Sequence, residues 1–344
     1  MLAELVALTL LVALVAYTLT GGADFGGGVW EMFAHGPRKA AQRKLIERAL
    51  APIWEANHVW LILIVVVLFV ALPQAYAAIS TALHIPLVVM LIGIVLRGAA
   101  FVFRSYDPTP GRGAARWQMV FAVASIVTPV FLGVVIGALV TGDLTLDAEH
   151  RPTVGFVAAW AQPFPFFVGL FVLAMFAWLA AVYLTIEAAG DVDLQRDFRA
   201  RAMIAGLVSG GLSIAVMALA EQHAPRLAQE LGGRASEAHE VVAVLMQLAV
   251  ALLGIGALLS LHREYYRTAR LLAAAQVALV VIGLGLAQWP FVIAPSLTFA
   301  DALAPEGVVV PMLVFLAFAT PVLLLALAFL FKVFKAQRGA DPDA

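Results

Sequence analysis

The sequence predicts an all-α polytopic membrane protein with nine transmembrane helices. Of its 344 residues, 63% are hydrophobic and 12% are charged, and the mean hydropathy is +0.98. A soluble domain needs a larger polar surface than this composition supplies. Long apolar runs recur along the whole chain, and they are continuous rather than alternating, which favours helices over the strands of a barrel. Basic residues gather in alternate loops between these runs, as in multi-pass membrane proteins.

Nine apolar runs are long enough to cross the hydrocarbon core, which takes about 20 residues of helix. In chain order the predicted spans are Leu2–Leu19, Ile53–Leu72, Ala78–Phe103, Trp117–Val140, Val157–Ile186, Ala202–Ala220, Val241–Leu261, Leu271–Ile293 and Val308–Phe334. The first run has no basic residues before it and no small-residue cleavage site, so it is predicted to be a span rather than a removed signal peptide. Residues 1–344 are therefore predicted to form a single membrane domain.

The loop charges predict the orientation of these spans. All but four of the 21 Lys and Arg residues lie in the loops after the odd-numbered spans or at the C-terminus. The positive-inside rule places those loops in the cytoplasm, with the N-terminus outside and the C-terminus inside. The first of them contains RKAAQRKLIERAL, residues 38–50, whose basic helical pattern predicts a helix on the inner membrane surface.

The composition argues against several kinds of site. The formal net charge of −1 offers no basic excess for a nucleic-acid partner, and the absence of cysteine excludes disulfides and thiolate metal ligands. Among seven histidines, His58 and His84 alone fall within predicted spans, at opposite depths, and no HxxxH or CxxCH motif occurs. His84 is predicted to be a hydrogen-bonded core residue. The chain is therefore not expected to bind a metal or a haem on its own.

A polar stretch, PIWEANHVWL, stands at the head of the second span. The uninterrupted apolar run that follows is too short to cross a membrane, so Glu55, Asn57 and His58 are expected in the membrane or at its inner border. Glu55 and His58 are three residues apart and share one helix face. A charged group in a span usually has a partner, and the natural partner is Arg97 in the third span, at a similar depth.

Two interpretations of these polar residues remain open. In the first, Glu55 and Arg97 form a buried ion pair that fixes the register of their helices. In the second, Glu55 takes up protons from the inner side, helped by Asn57 and by His58, whose imidazole titrates near neutral pH. Asp24, in GGADFGGGVW, is expected after the first span, where the glycines permit a tight turn or a close backbone approach and the carboxylate either caps a helix end or has a functional role.

The chain resembles subunit II of the cytochrome bd-type quinol oxidases, including the cyanide-insensitive type. The resemblance covers nearly the whole length and is strongest over residues 23–104. The family pattern reads roughly DGFDLGVG, GPVWDGNEVWL, FPxAY and FRGxxFEFR, and the matching stretches here are GGADFGGG, APIWEANHVWL, LPQAY and LRGAAFVFR. Near the C-terminus, QWPFVIAPSLTFADALAP resembles the penultimate outer loop of the family.

The resemblance implies a two-subunit core in the bacterial inner membrane, often with a small single-helix accessory subunit. Subunit I of the family holds the b- and d-type haems and the quinol site, whereas subunit II ligates none of them. The complex oxidises quinol on the outer side and reduces dioxygen with protons from inside. For this chain the resemblance implies two four-helix bundles plus one peripheral helix, packed against subunit I, with room for a structural quinone or lipid.

The resemblance also assigns roles to individual residues. Glu55 occupies the acidic position of the WD motif, which belongs to the proton-uptake path of the family. Arg97 matches the arginine of FRG, and Asp24 matches the second acid of DGFD. Three positions depart from the pattern: Gly21 replaces the first acid, His58 replaces a Glu, and Val102 replaces the Glu of FEFR. His58 is a candidate to substitute as a proton-carrying group.

Two other function classes are compatible with the residues alone. A proton-coupled secondary transporter would use Glu55, His58 and Arg97 as its coupling site, although transporters usually place such sites at the bilayer midplane between broken helices. A purely structural membrane subunit would use the same residues to fix helix register.

Overall fold

The computed structural model describes residues 1–50, 54–106, 112–233 and 237–338, and within them the chain is almost entirely helical. The helices are α1 (Leu2–Met32), α2 (Lys39–Leu50), α3 (Trp54–Ala71), α4 (Pro73–Ala82), α5 (His84–Tyr106), α6 (Arg112–Val140), α7 (Pro163–Glu187), α8 (Val192–His223), α9 (Pro225–Leu231), α10 (Glu237–His262), α11 (Tyr266–Gln288) and α12 (Glu306–Arg338). Two short antiparallel strands, β1 (Phe291–Ile293) and β2 (Leu297–Thr298), separate α11 from α12. The predicted all-α class is confirmed.

In the described part of the chain, eight helices are long and apolar enough to cross a membrane. A ninth span is obtained if the bent pair formed by α3 and α4 counts as one. The two helices meet at an angle of 116° because Leu72 leaves the helical conformation and Pro73 begins the next helix. The predicted start of the third span at Ala78 is therefore wrong, since Ala78 lies in α4 and the following long helix begins at His84.

The first helix is much longer than predicted. It continues for 31 residues through the glycine-rich stretch to Met32, so the predicted end at Leu19 is wrong. Of the two predicted roles of the glycines, the close backbone approach is confirmed and the tight turn is not. The glycines serve close packing instead of a turn. A Cβ atom on Gly26 would overlap the backbone carbonyl of Phe176 in α7, and one on Gly28 would overlap the hydroxyl of Ser125 in α6. The chain therefore uses these residues to bring three helix backbones together.

Other predicted boundaries also differ. Residues 157–160 form turns, so the helix predicted from Val157 begins at Pro163. The helix predicted to end at Ile293 ends at Gln288, because the chain then turns into the small sheet in which Phe291 pairs with Thr298. Turn-forming proline residues mark both of these places in the sequence. The helix predicted from Ala202 begins ten residues earlier, at Val192, where the side chain of Asp191 caps it.

The helix α7 lies at the centre of the core. In the most apolar 18-residue stretch of α7, 72% of the residues are buried. In the corresponding stretch of α12, none of the residues is buried within the chain. Around α7 pack α1, α6, α8 and α11. The largest buried cluster includes Phe25, Phe121, Phe176 and Trp178. This arrangement holds one end of α1, with its polar side chains, against α5 and α6.

Candidate functional site

Three helices contribute a buried charged group that we call the closed triad, consisting of Asp24 (α1), Arg97 (α5) and Ser125 (α6). Arg97 donates through Nη1 to Asp24 Oδ2 at 2.7 Å and through Nη2 to Asp24 Oδ1 at 2.6 Å. Its Nη2 also donates to the backbone carbonyl of Asp24 at 3.1 Å, and its Nε donates to Ser125 Oγ at 3.0 Å. Each guanidinium nitrogen therefore has an acceptor.

Aromatic rings complete the surroundings of the closed triad. The guanidinium carbon of Arg97 lies 4.8 Å from the ring centroid of Phe25 and 4.7 Å from that of Phe121. Arg97 is only 1% exposed and Asp24 is fully buried. A buried, bidentate, hydrogen-bonded ion pair between planar rings is the environment in which a charged arginine is tolerated at depth.

The partner of Arg97 differs from the predicted one. The sequence interpretation paired Arg97 with Glu55, but the guanidinium binds Asp24 on α1. Asp24 is also not a capping residue at a helix end, because α1 continues for eight residues beyond it. Glu55 lies in α3, and its side chain lies outside the described residues.

A second group repeats the first one heptad further along the same helices. We call it the open triad, and it consists of Glu31 (α1), Arg104 (α5) and Gln118 (α6). Glu31 Oε1 accepts from Arg104 Nη1 at 2.5 Å and from Gln118 Nε2 at 2.9 Å. Residue numbers rise by seven on α1 and α5 and fall by seven on α6. The helices α1 and α5 therefore run parallel, and α6 runs antiparallel to both.

The open triad reaches the protein surface through Glu47 on α2. Glu47 Oε1 lies 3.6 Å from Arg104 Nη2, and its side chain is 46% exposed, whereas the side chain of Glu31 is 1% exposed. Within the described part of the chain, Glu31 Oε2 and the Nε and Nη2 atoms of Arg104 are buried without a hydrogen-bond partner. The two triads thus differ in that only the closed one satisfies its polar atoms.

The polar residues at the start of α3 lie beside the closed triad. The rings of His58 and Phe25 are 6.3 Å apart between centroids, so Phe25 contacts both His58 and Arg97. Asn57 is 2% exposed. Asn57 Nδ2 and His58 Nδ1 are buried and have no hydrogen-bond partner among the residues that the structure describes. The structure therefore places His58 beside Phe25, which also covers Arg97, and it buries Asn57 at the same end of α3.

Several members of the two triads were not singled out from the sequence. Arg104 was assigned to a cytoplasmic loop, but it lies in α5 with its side chain 10% exposed. Glu31, Gln118 and Ser125 were not considered. A heptad spacing between acids on one apolar helix and between arginines on another would have been the available signal, because residues seven apart share a helix face.

A further charged cluster ties α2 to α8 at the same end of the molecule. Arg38 donates to both carboxylate oxygens of Asp197, at 2.8 and 2.6 Å, and this carboxylate raises the pKa of Arg38 above its usual value. Gln42 donates to Asp197 at 2.7 Å and accepts from Arg201 at 2.6 Å. Arg201, which was also predicted to be a loop residue, lies buried in α8. The predicted helix in the first basic loop is confirmed as α2.

The described residues contain no cluster of three or more His, Asp or Glu that could hold a metal ion. His84 is exposed at the start of α5 rather than buried in the core, and its Nδ1 lies 2.9 Å from the carbonyl oxygen of Thr81. A cavity of about 910 Å³ lies between α7, α8, α10 and α11. It is lined mainly by apolar side chains, with Gln276 as one of few polar groups.

Comparisons with known proteins agree with one another. The sequence profile of the family described as cytochrome bd terminal oxidase subunit II matches residues 2–334. Cytochrome bd-I ubiquinol oxidase subunit 2 of Escherichia coli K12 is 28% identical over 202 residues, which are 58% of this chain and 52% of that protein. Cytochrome bd ubiquinol oxidase subunit 2 of Bacillus subtilis is 28% identical over 61% of this chain and 59% of that protein. The chain thus spans about half the length of these curated relatives.

One solved structure is similar over almost the whole chain. A chain in the structure of bd oxidase from Geobacillus thermodenitrificans superposes with a TM-score of 0.75 at 20% identity. The superposition covers 97% of the chain described above and 99% of the other. At this level of identity the likeness concerns the fold.

Proposed function

Because the chain belongs to the cytochrome bd terminal oxidase subunit II family, we propose that it is the second subunit of a membrane-bound quinol oxidase that reduces dioxygen to water. The observation that carries the proposal is the family match over residues 2–334. The buried acids and bases at one end of α1, α3 and α5 support it, because a multi-pass membrane protein keeps ionisable groups at depth mainly for function.

We propose that the redox groups belong to a partner, subunit I, which carries b- and d-type haems and the quinol site. Haem bound in the partner supplies electron transfer and oxygen reduction. The chain described here would support the partner and deliver protons to it. The proposed assembly lies in the bacterial inner membrane, with or without a small single-helix accessory subunit. In it, this chain has nine spans as two four-helix bundles plus one peripheral helix, with the N-terminus outside.

The proposed proton-uptake path begins at Glu55 and continues through Asn57 and His58. His58 can accept a proton at one ring nitrogen and release one from the other, and its Nδ1 is not engaged by another described residue. Asn57 is placed to orient a proton-carrying water through its amide. Every nitrogen of Arg97 and both carboxylate oxygens of Asp24 already have a hydrogen bond, so the role of the pair is to hold the helices in register and to fix the electrostatic environment.

We propose that the apolar cavity between α7, α8, α10 and α11 holds a structural quinone or a lipid. Its volume of about 910 Å³ and its apolar lining suit a long hydrocarbon chain. Gly210 and Gly211 of α8 line the cavity. A Cβ atom on either residue would meet no heavy atom within 4 Å, so there is free space on this side of the cavity.

The proposed function is tested by purifying the chain together with the product of any neighbouring subunit I gene. The expected result is a coloured complex whose absorption spectrum shows b- and d-type haem and which consumes oxygen when supplied with quinol. The same preparation from cells lacking subunit I should be colourless and inactive. A colourless protein that moves a substrate across vesicle membranes without a partner would contradict the proposal and favour a transporter.

A further inference from the structure

The two triads use the same three helices and the same heptad register, but they differ in how many of their polar atoms have a hydrogen-bond partner. In the closed triad each nitrogen of Arg97 has an acceptor and both carboxylate oxygens of Asp24 accept hydrogen bonds. In the open triad Glu31 binds through Oε1 alone. A structural role would require the same completeness in both, because a buried polar atom without a partner is destabilising.

The unpartnered atoms of the open triad lie along a route to the surface. Glu31 Oε2, Arg104 Nε and Arg104 Nη2 are all buried. The separation of 3.6 Å between Arg104 Nη2 and Glu47 Oε1 is an ion-pair contact but too long for a direct hydrogen bond, so the N–H groups of Nη2 stay available to water. Glu47 itself is 46% exposed, so water has access to this end of the route.

We propose that the open triad is a hydrated proton-uptake site, with Glu47 at its mouth and Glu31 as its proton-carrying group. It is separate from the start of α3. The inference rests on the proposed function, since it supplies protons to the same oxygen-reducing partner. Protonated water at Glu47 transfers a proton to Glu31 Oε2, which forms an O–H bond while Oε1 stays bound to Arg104. The proton then leaves Oε2 for a water on the side of the closed triad, deeper in the protein, and Glu31 returns to the carboxylate, so one proton enters and one leaves.

The distance to the closed triad fits a short water chain. Seven residues of α1 correspond to about 10 Å along the helix axis, which about three waters at hydrogen-bond spacing can bridge. The groups that face this route come from each neighbouring helix. They are Arg104 from α5, Gln118 from α6 and Glu47 from α2. From α3, His58 lies beside Phe25, at the end of the route that reaches the closed triad. On α7, the group bonded to α1 nearest this point is the backbone carbonyl of Ala177, which accepts from Trp30.

The test uses the purified two-subunit complex in lipid nanodiscs, with the variants Glu31→Gln and Glu47→Gln. Glu31→Gln keeps an acceptor for Arg104 but cannot carry a proton, so quinol-dependent oxygen consumption should fall at least about tenfold at unchanged haem content. Glu31→Asp should restore most of the rate.

Glu47→Gln should lower the rate most strongly at high pH, where protons are scarce. Asp193→Asn, which removes an exposed acid outside the two triads and their route to the surface, is the matched control and should behave as the parent.

A second readout does not depend on turnover. The infrared difference spectrum between the reduced and the oxidised complex should contain a carboxyl band that moves in D2O, is lost in Glu31→Gln and is shifted in Glu31→Asp. An unchanged spectrum together with parental turnover in Glu31→Gln would overturn the inference. If Glu31→Gln fails to assemble, the surface variant Glu47→Gln decides the matter, since a parental rate and pH profile in that variant overturn it equally. Absence of oxygen consumption in the parent complex would instead refute the proposed function.

Discussion

At the scale of single residues, the closed triad shows how this chain keeps an arginine charged in an apolar core. Arg97 is bound at all three nitrogens and covered by Phe25 and Phe121. The planar fork of the guanidinium suits two carboxylate oxygens and the two rings together, which a lysine ammonium cannot match. Each partner depends on the other, because removing one leaves a charge buried without compensation.

Replacing Arg97 should therefore lower the stability and assembly of the protein rather than act directly on the proton-transfer reaction. Arg97→Ala is expected to destabilise the chain by about 3–5 kcal/mol, because it leaves Asp24 as a buried unpaired charge. Thermal unfolding and the haem-to-protein ratio of the purified complex measure the effect. Arg97→Lys should fall between parent and Ala variant, and Arg116→Ala, at an exposed position on α6, should change neither quantity. A parental haem ratio in Arg97→Ala would contradict the structural role.

Replacing Glu55 should lower the activity of the complex and leave its stability and assembly unchanged, which is the reverse of the effect expected for Arg97. Glu55→Ala is expected to slow quinol-dependent oxygen consumption at least about tenfold with normal assembly, because it removes a proton-carrying group at the start of α3. Glu55→Asp restores the carboxyl group found at this position in the family pattern and should retain most of the activity. Oxygen-electrode rates normalised to haem content provide the measurement. Normal turnover in a fully assembled Glu55→Ala complex would refute the proton role.

The sequence predicted part of this site and missed the rest for a physical reason. Asp24 and Arg97 stand out as charges in apolar surroundings, so their importance follows from composition alone. Their pairing does not, because it depends on α1 continuing through its glycines and on the parallel packing of α1 and α5. Glu31 and Arg104 lie at positions where a shorter helix would already have reached the loop, and that error hid the second triad.

At the scale of the helices, the helix boundaries predicted from the sequence are right or wrong mainly at glycine and proline residues. Pro73 ends α3 and starts α4, as its missing N–H and fixed φ require. The glycines of α1 look the same in sequence as a turn, but they face Phe176 and Ser125 on neighbouring helices. Local propensity cannot distinguish these two uses, because close packing depends on which helix lies opposite.

The packing role of these glycines can be tested directly. Gly26→Ala should destabilise the chain by at least about 1–3 kcal/mol, because the new Cβ would overlap the backbone of α7, which cannot move without displacing the central helix. Gly210→Ala is the matched control, since open space surrounds that position and alanine favours a helix. The midpoint of thermal unfolding reports both. Equal midpoints for Gly26→Ala and the parent would show that α1 and α7 can separate without cost.

At the scale of the whole molecule, the distribution of charge predicts its orientation in the membrane. The sequence contains no cysteine, so single cysteines provide specific labels. A membrane-impermeant maleimide applied to intact spheroplasts should label Glu149→Cys, in the loop before α7, and should not label Asp193→Cys at the start of α8. Both positions are well exposed, and permeabilised cells provide the control in which both react. The reverse pattern would place the N-terminus inside.

The length of α1 links the molecule to the composition of its bilayer. Thirty-one residues make a helix about 46 Å long, whereas the hydrocarbon layer is about 30 Å thick. With the exposed Glu4 at one surface, we expect the excess length to reach the phospholipid headgroups at the far end of α1, where Glu31 and Glu47 lie. Anionic headgroups enrich hydronium in that layer. Phosphatidylglycerol or cardiolipin around the protein would then raise the proton concentration near Glu47, and in the proposed oxidase the lipid mixture would affect the rate of oxygen consumption.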